Sequence, residues 1–326
     1  MAMINMVQAM NLALDQAMDA DPDVVIMGED IGVNGGVFRV TKDLLAKYGP
    51  SRVIDTPLAE ASIIGTAVGM AVAGLKVVAE IQFSGFTYQA FHQIEQNMAR
   101  MHNRTRGRYG VPMVMRAPYG GGIRAVEHHS ESREAYWAHT PGLKVVIPSG
   151  PRMARSLLSA AIADPDPIVF YEPKAIYRAF REEVPDEPEV YEIGKAVIAR
   201  PGSQITLIAY GAMMRPTLEA ADELGEQHDI DAEVLDLVSI SPIDTQSLTE
   251  SVSKTGRAVV IHEAPRTCGV AAELIARINE TAFAHLEAPI KRVTGYDIQF
   301  PYFQVERYYL PDADTILAAA LETMRY

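Results

Sequence analysis

Cysteine is almost missing from this chain. Cys268 stands alone among 326 residues, which rules out an internal disulfide framework and a thiolate-clustered metal site and fits a reducing cytoplasm. Positive charge is scarce too: 29 Lys and Arg face 42 Asp and Glu, for a formal net charge of −13. A nucleic-acid backbone would be repelled, so no nucleic-acid partner is expected. The one basic cluster, Arg100, Arg104, Arg106 and Arg108, has the spacing of the polar end of a helix and the loop after it. Long hydrophobic runs are also lacking. The longest, Ala61 to Leu75, is shorter than a membrane span, and the opening Met-Ala-Met-Ile-Asn-Met-Val-Gln has no basic region, so neither a membrane partner nor a targeting segment is expected. No G-x-G-x-x-G follows the first apolar run, and G-x-x-x-x-G-K-[ST], G-x-S-x-G and His-Glu-x-x-His do not occur. Those absences remove the signatures of a Rossmann dinucleotide site, a Walker phosphate loop, a serine nucleophile elbow and a helical zinc site.

What is present is a core. With 48% hydrophobic residues the chain can fill two domains. Short apolar runs, Val24–Met27, Lys76–Ala79, Pro112–Met115, Lys144–Ile147 and Pro167–Phe170, read as strands buried on both faces. Segments of helical period lie near 3–19, 60–74, 86–105 and 151–163. That alternation predicts an α/β fold with a parallel sheet flanked by helices. From Glu172 to Gly194 the pattern breaks at Pro173, Pro185 and Pro188, which marks a linker. A second α/β unit follows, with strands at 205–209, 232–237 and 258–261 and helices near 213–226, 269–285 and 312–325. The resulting division is 1–180, a linker at 181–194, and 195–326. Between Pro216 and Ser253 ten acidic residues occur with no Lys or Arg, which reads as solubility or as a docking surface for a basic partner.

Two segments carry chemistry. Asp55-Thr-Pro-Leu-Ala-Glu60 runs into the apolar stretch 61–74, with Thr56 placed to cap a helix, Pro57 at its first position and Glu60 in the opening turn. Ala61, Gly65, Gly69 and Ala73 then share a face that lets a backbone or a flat ring approach. Glu60 reads equally as ordinary compensation of the helix dipole. The second segment is Tyr119-Gly-Gly-Gly-Ile-Arg-Ala-Val-Glu-His-His-Ser-Glu-Ser132. It follows a strand and so belongs at the carboxyl edge, where open α/β sheets bind ligands. His128 and His129 either handle protons there or face solvent.

At these residues the chain resembles the beta chain of the heterotetrameric decarboxylase component of 2-oxo acid dehydrogenase complexes. The resemblance rests on Met27-Gly-Glu-Asp-Ile-Gly32 with Gly35-Gly-Val-Phe-Arg39, on Arg52-Val-Ile-Asp-Thr-Pro-Leu-Ala-Glu60, on Glu80-Ile-Gln-Phe83 and on His139-Thr-Pro-Gly-Leu-Lys-Val-Val-Ile-Pro148. Tyr177-Arg178, Glu183-Val-Pro185 and Ile193-Gly-Lys-Ala196 extend it in order over nearly the whole chain. It implies a transketolase-like pyrimidine-binding domain followed by a transketolase C-terminal domain, and thiamine diphosphate as cofactor. Glu60 would then hydrogen-bond the aminopyrimidine ring nitrogen, with Leu58, Gln82 and Phe86 as the pocket wall. His129 matches the family histidine of the pattern His-Ser-Gln, which handles protons during decarboxylation or acyl transfer to lipoamide. The chain departs from that pattern in reading His128-His129-Ser130-Glu131. The resemblance also implies a potassium ion held by backbone carbonyls of Met113, Ala161, Ile162, Asp164 and Asp166.

The family's Gly-Asp-Gly metal segment is missing here, which implies an alpha subunit that supplies the diphosphate and Mg ligands. The expected assembly is an α2β2 heterotetramer with a second beta chain, docked on a lipoyl acyltransferase core and inactive as the lone chain. The substrate is pyruvate or a branched-chain 2-oxo acid. An acetoin dehydrogenase beta subunit and a non-catalytic assembly subunit of the same fold are the alternatives.

Overall fold

The structure, a computed structural model, describes every residue except Pro188 and Val190, so the linker proline at 188 lies outside the described residues. The chain divides into two compact units. One comprises Met1–Tyr119 and Tyr136–Ile193; the other comprises Gly120–Ala135 and Gly194–Tyr326.

In the first unit six strands run parallel: β1 (Val24–Gly28), β2 (Val53–Asp55), β3 (Lys76–Glu80), β4 (Met113–Tyr119), β5 (Lys144–Val146) and β6 (Ile168–Pro173). Their spatial order is β5-β6-β4-β3-β1-β2. Every residue of β1, β4 and β6 is buried, as their unbroken apolar runs require of strands covered on both faces. The covering helices include α1 (Met6–Ala20), which packs on α3 (Pro151–Ala163). Asn5 and Gln8 form a capping box that starts α1. The parallel α/β sandwich read from the sequence is therefore present.

Local readings need correction in two places. The helix carrying Glu60, α2 (Glu60–Val72), starts three residues later than Thr56 and Pro57 suggest, and Ala59 occupies its N-cap with no side-chain bond. The reason is a competing ladder: the Thr56 amide donates to Gly28 O at 3.0 Å, which keeps the chain extended past β2. The stretch near 86–105 is three short helical pieces, Ser84–Ala90, Gln93–Met98 and Met101–Arg104, rather than one helix.

The carboxyl ends of the central strands share one charged network. Arg116 Nη1 donates to Glu80 at 2.6 Å, Arg116 Nε donates to Glu172 at 2.6 Å, and Tyr177 OH donates to Glu172 at 2.5 Å. Arg116 and Glu172 are 1% and 0% exposed, so these bonds lie out of reach of bulk solvent. Burial by itself would depress the guanidinium, but the carboxylates of Glu172 and Glu80 more than reverse this and push it up. Burial raises Glu80 despite Arg116, and burial together with Glu172 holds the Tyr177 phenol well above its ordinary value.

In the second unit the sheet contains β7 (Val197–Arg200), β8 (Ile205–Ala209), β9 (Ala232–Asp236), β10 (Ala258–Pro265) and β11 (Lys291–Gly295), in the order β11-β10-β8-β9-β7. Only β7 is antiparallel to its neighbour. Its helices include α4 (Met214–His228), α5 (Thr245–Thr255), α6 (Val270–Ala282) and α7 (Ala313–Thr323). Three of the acidic residues between 216 and 253 are structural: Glu233 is buried and accepts from Ser251 Oγ and Lys254, Asp236 accepts the Val238 amide, and Asp244 caps α5. Glu219, Asp222 and Glu226 on α4 remain exposed.

His262 in β10 is wholly buried and places Nδ1 3.1 Å from the Ala264 carbonyl. Burial lowers its pKa to about 4, against the ordinary 6.5. Between those values the unfolded chain binds a proton that the folded chain refuses. Stability is therefore complete above about pH 6.5 and falls as pH drops towards 4, by on the order of 3 kcal/mol in total. His262→Asn should flatten that acid limb, as read by urea unfolding at pH 7, 6 and 5. Arg116→Met should cost about 3–5 kcal/mol because two buried carboxylates lose their cation. The same urea titration at pH 7 checks it, and a loss below about 1 kcal/mol would contradict the role given to the network.

Candidate active site

At the carboxyl end of β1 and β2 the chain gathers carboxylates. Asp55, the last residue of β2, accepts the Gly32 and Val33 amides at 2.6 and 3.0 Å, which ties down the loop after β1. Asp30 accepts from Asn34 Nδ2 at 2.9 Å and from Gln82 Nε2 at 3.1 Å. Glu29 lies close enough to Glu60 to feel it: burial first, then Asp30 and Glu60, raise its carboxyl above the ordinary value. Glu60 itself is 7% exposed, and no hydrogen bond to its carboxylate is formed among the described residues. The opening turn of α2 compensates the charge through its unpaired amides, while the carboxylate oxygens are left for something outside the chain. Ile63, Ile64, Ala67 and Val68 share the buried face of α2 with Glu60, and this leaves Ala61, Gly69 and Ala73 exposed on the other side.

The proposed wall residues fall nearby in sequence but differ in setting. Gln82 and Phe86 are half-buried, with the Phe86 ring edge-on to Phe83 at 5.7 Å. Leu58 is 72% exposed, so nothing in this chain covers it. Thr56 Oγ1 is buried without a hydrogen-bond partner. A buried carboxylate with free acceptor capacity, on a helix that packs against the Ser84–Ala90 piece bearing Phe86, fits the flat, nitrogen-edged pyrimidine of thiamine diphosphate. Among the described residues no group of three or more His, Cys, Asp or Glu gathers as a metal site.

The histidines belong to the second unit. The loop leaves β4 after Tyr119, and its residues 120–135 cluster with that unit. His128 and His129 end a short 3-10 turn, Glu127–His129, in which the His129 amide donates to Val126 O at 3.0 Å. Glu131 pairs with Arg133 and lies 4.0 Å from His128 Nδ1, so this acid faces His128 and Arg133. Two buried carboxylates hold the loop: Glu263 accepts the Gly121 amide at 2.9 Å, and Glu306 accepts the Gly122 amide. Sequence reading missed both. No local signal could have found them, since each acid bonds a backbone amide far along the chain.

The carbonyls named for potassium lie at the end of α3. Pro165 has no amide to return to Ala161 O, and the Asp166 amide is given to Asp164 Oδ1 at 2.9 Å, so Ala161 and Ile162 keep carbonyls that the helix does not close. Met113 begins β4. The Asp164 and Asp166 side chains are occupied by Lys144 Nζ, at 2.7 and 3.1 Å.

Residues 2–179 match the family model described as Transketolase, pyrimidine binding domain, and residues 194–316 match Transketolase, C-terminal domain. A solved chain described as "Split gene transketolase, inactive beta4 tetramer" superposes with a TM-score of 0.82 over 99% of both chains at 22% identity, a likeness of fold. The pyruvate dehydrogenase E1 component subunit beta of Acholeplasma laidlawii is 51% identical over 98% of this chain and 97% of its own length. The subunit of the same name from Bacillus subtilis (strain 168) is 46% identical over the whole of both chains. Identity at that level, carried end to end through both domains, meets the expectation of a 2-oxo acid decarboxylase beta subunit: the chain belongs to the family of pyruvate dehydrogenase E1 component beta subunits.

Proposed function

We propose that this chain is the pyrimidine-binding half of a thiamine-diphosphate-dependent pyruvate decarboxylase and passes the acyl group to lipoamide together with an alpha subunit. The observation that carries the reading is Glu60, a buried carboxylate at the start of α2 with no partner among the described residues. When bound, the cofactor supplies a carbon nucleophile and an electron sink for decarboxylation. Glu60 would hold and move a proton at its carboxylate oxygen toward the pyrimidine ring, and its burial would strengthen the bond between them. Phe86 and Gln82 orient the ring, and Leu58 closes the wall once a partner covers it. His129 moves protons at the reacting end, with its loop presented by the second unit.

Pyruvate is favoured over branched-chain oxo acids and acetoin by the relatives' shared name. The diphosphate and its Mg ion fall to the alpha subunit, in an α2β2 assembly with a second beta chain and active only when assembled. The exposed acids of α4 are the candidate surface for the basic part of the acyltransferase core. The open carbonyls of Ala161 and Ile162, joined by those of Met113, Asp164 and Asp166, suit potassium. The cell compartment proposed is the cytoplasm; among the described residues no helix is long and apolar enough to cross a membrane.

Glu60→Gln keeps the shape and loses the proton chemistry. In the reconstituted assembly it should lower carbon dioxide release from pyruvate by about 10²–10⁴-fold with assembly unchanged. Near-normal turnover would defeat the reading, and release measured across several oxo acids tests the substrate. The same variant should let the Glu29 carboxyl fall part of the way back to its ordinary pKa, because Glu60 is one of the charges raising it. A 13C NMR titration of labelled glutamate reads that shift independently of activity.

A further inference from the structure

We propose that Glu263 and Glu306 are positioning residues for His129, setting the path of the histidine-bearing loop through its first amides. The loop begins with three successive glycines, Gly120 to Gly122, which impose no path of their own because glycine has the widest backbone freedom. Its path is imposed from outside. Glu263, on β10, accepts the Gly121 amide at 2.9 Å, and Glu306, on the short helix Glu306–Tyr309, accepts the Gly122 amide. Both carboxylates are 4% exposed, so these charge-assisted bonds are shielded from water. Gly120 has φ +80°, and a Cβ there would collide with the Glu263 carboxylate; one at Gly121 would collide with the Phe300 ring. Phe300 is backed in turn by Tyr309, with ring centroids 4.8 Å apart.

The far end is fixed as well. The Gly120 amide donates to Glu131 O at 3.1 Å, closing the loop on itself, and Glu134 accepts from Tyr210 OH at 2.7 Å. Inside the closed loop, Ser130 Oγ donates to Val126 O at 3.1 Å and stiffens the turn that ends at His129. These bonds are made to the loop backbone and reach His129 only through it. Its effect must run through where the imidazole sits, and a displacement of about 1 Å is enough to cost about 10²-fold in rate.

The inference rests on the proposed role of His129, so the test separates the two. Glu263→Ala, Glu306→Ala and His129→Ala, singly and combined, are made in the full chain and reconstituted with its alpha subunit. Each anchor variant should lower kcat by about 10–100-fold, leave the cofactor KM within about two-fold, and add less than about two-fold in the His129→Ala background. Glu263→Gln keeps an acceptor for the Gly121 amide and should restore most of kcat, and Glu306→Ala carries the test should Glu263→Ala fail to fold. Hydrogen–deuterium exchange over 120–135 should rise about ten-fold or more in the alanine variants. In the alanine variants, unchanged exchange, unchanged kcat, or losses that multiply with His129→Ala would overturn the proposal. Full activity in His129→Ala would overturn the role of that histidine and the positioning role with it, while the exchange data would still show whether the anchors hold.

Discussion

The first unit turns on a guanidinium held between two carboxylates in the dry interior of its sheet. Arg116 sits opposite Glu80 in the register of neighbouring parallel strands, and its other edge reaches Glu172 on the next strand. Such a group gives little net stability, because desolvating three charges cancels most of their attraction. What it gives is uniqueness: any slip in register would strand an ion without a counter-ion. Three strands are thereby locked where their loops depart, and the loop after β1 settles onto Glu80 at Gly36. Glu60, on the helix after the edge strand of this sheet, inherits that rigidity.

The second unit has a different task. Its sheet gathers no set of metal ligands among the described residues, yet it holds the histidines. A carboxylate from β10 and another from the chain beyond β11 reach the loop amides, and an aromatic pair, Phe300 and Tyr309, floors the glycines. One chain thus divides its proposed site residues, with the Glu60 carboxylate on a helix of the first unit and the His129 imidazole on a loop gripped within the second.

The sequence made some of this legible and hid the rest for physical reasons. Strands buried on both faces announce themselves as apolar runs, so β1, β3, β4 and β6 could be read directly. β2, three residues long and followed at once by Thr-Pro, could not. Thr56 and Pro57 carry every local mark of a helix start; a ladder bond to Gly28, a tertiary fact, overrode them. Glu60 was legible as an acid set against an apolar stretch, although its lack of a partner was not. The two acids that grip the glycine loop were out of reach, since they act on residues 142 and 184 positions away through backbone amides that leave no pattern.

The allegiance of residues 120–135 bears on how such proteins can be recombined. A chimera spliced once, near residue 194, would pair a foreign excursion with a native cradle and mismatch every grip between them. Swapping halves among relatives therefore calls for three junctions, so that the short insertion travels with the carboxyl-terminal portion that it structurally belongs to.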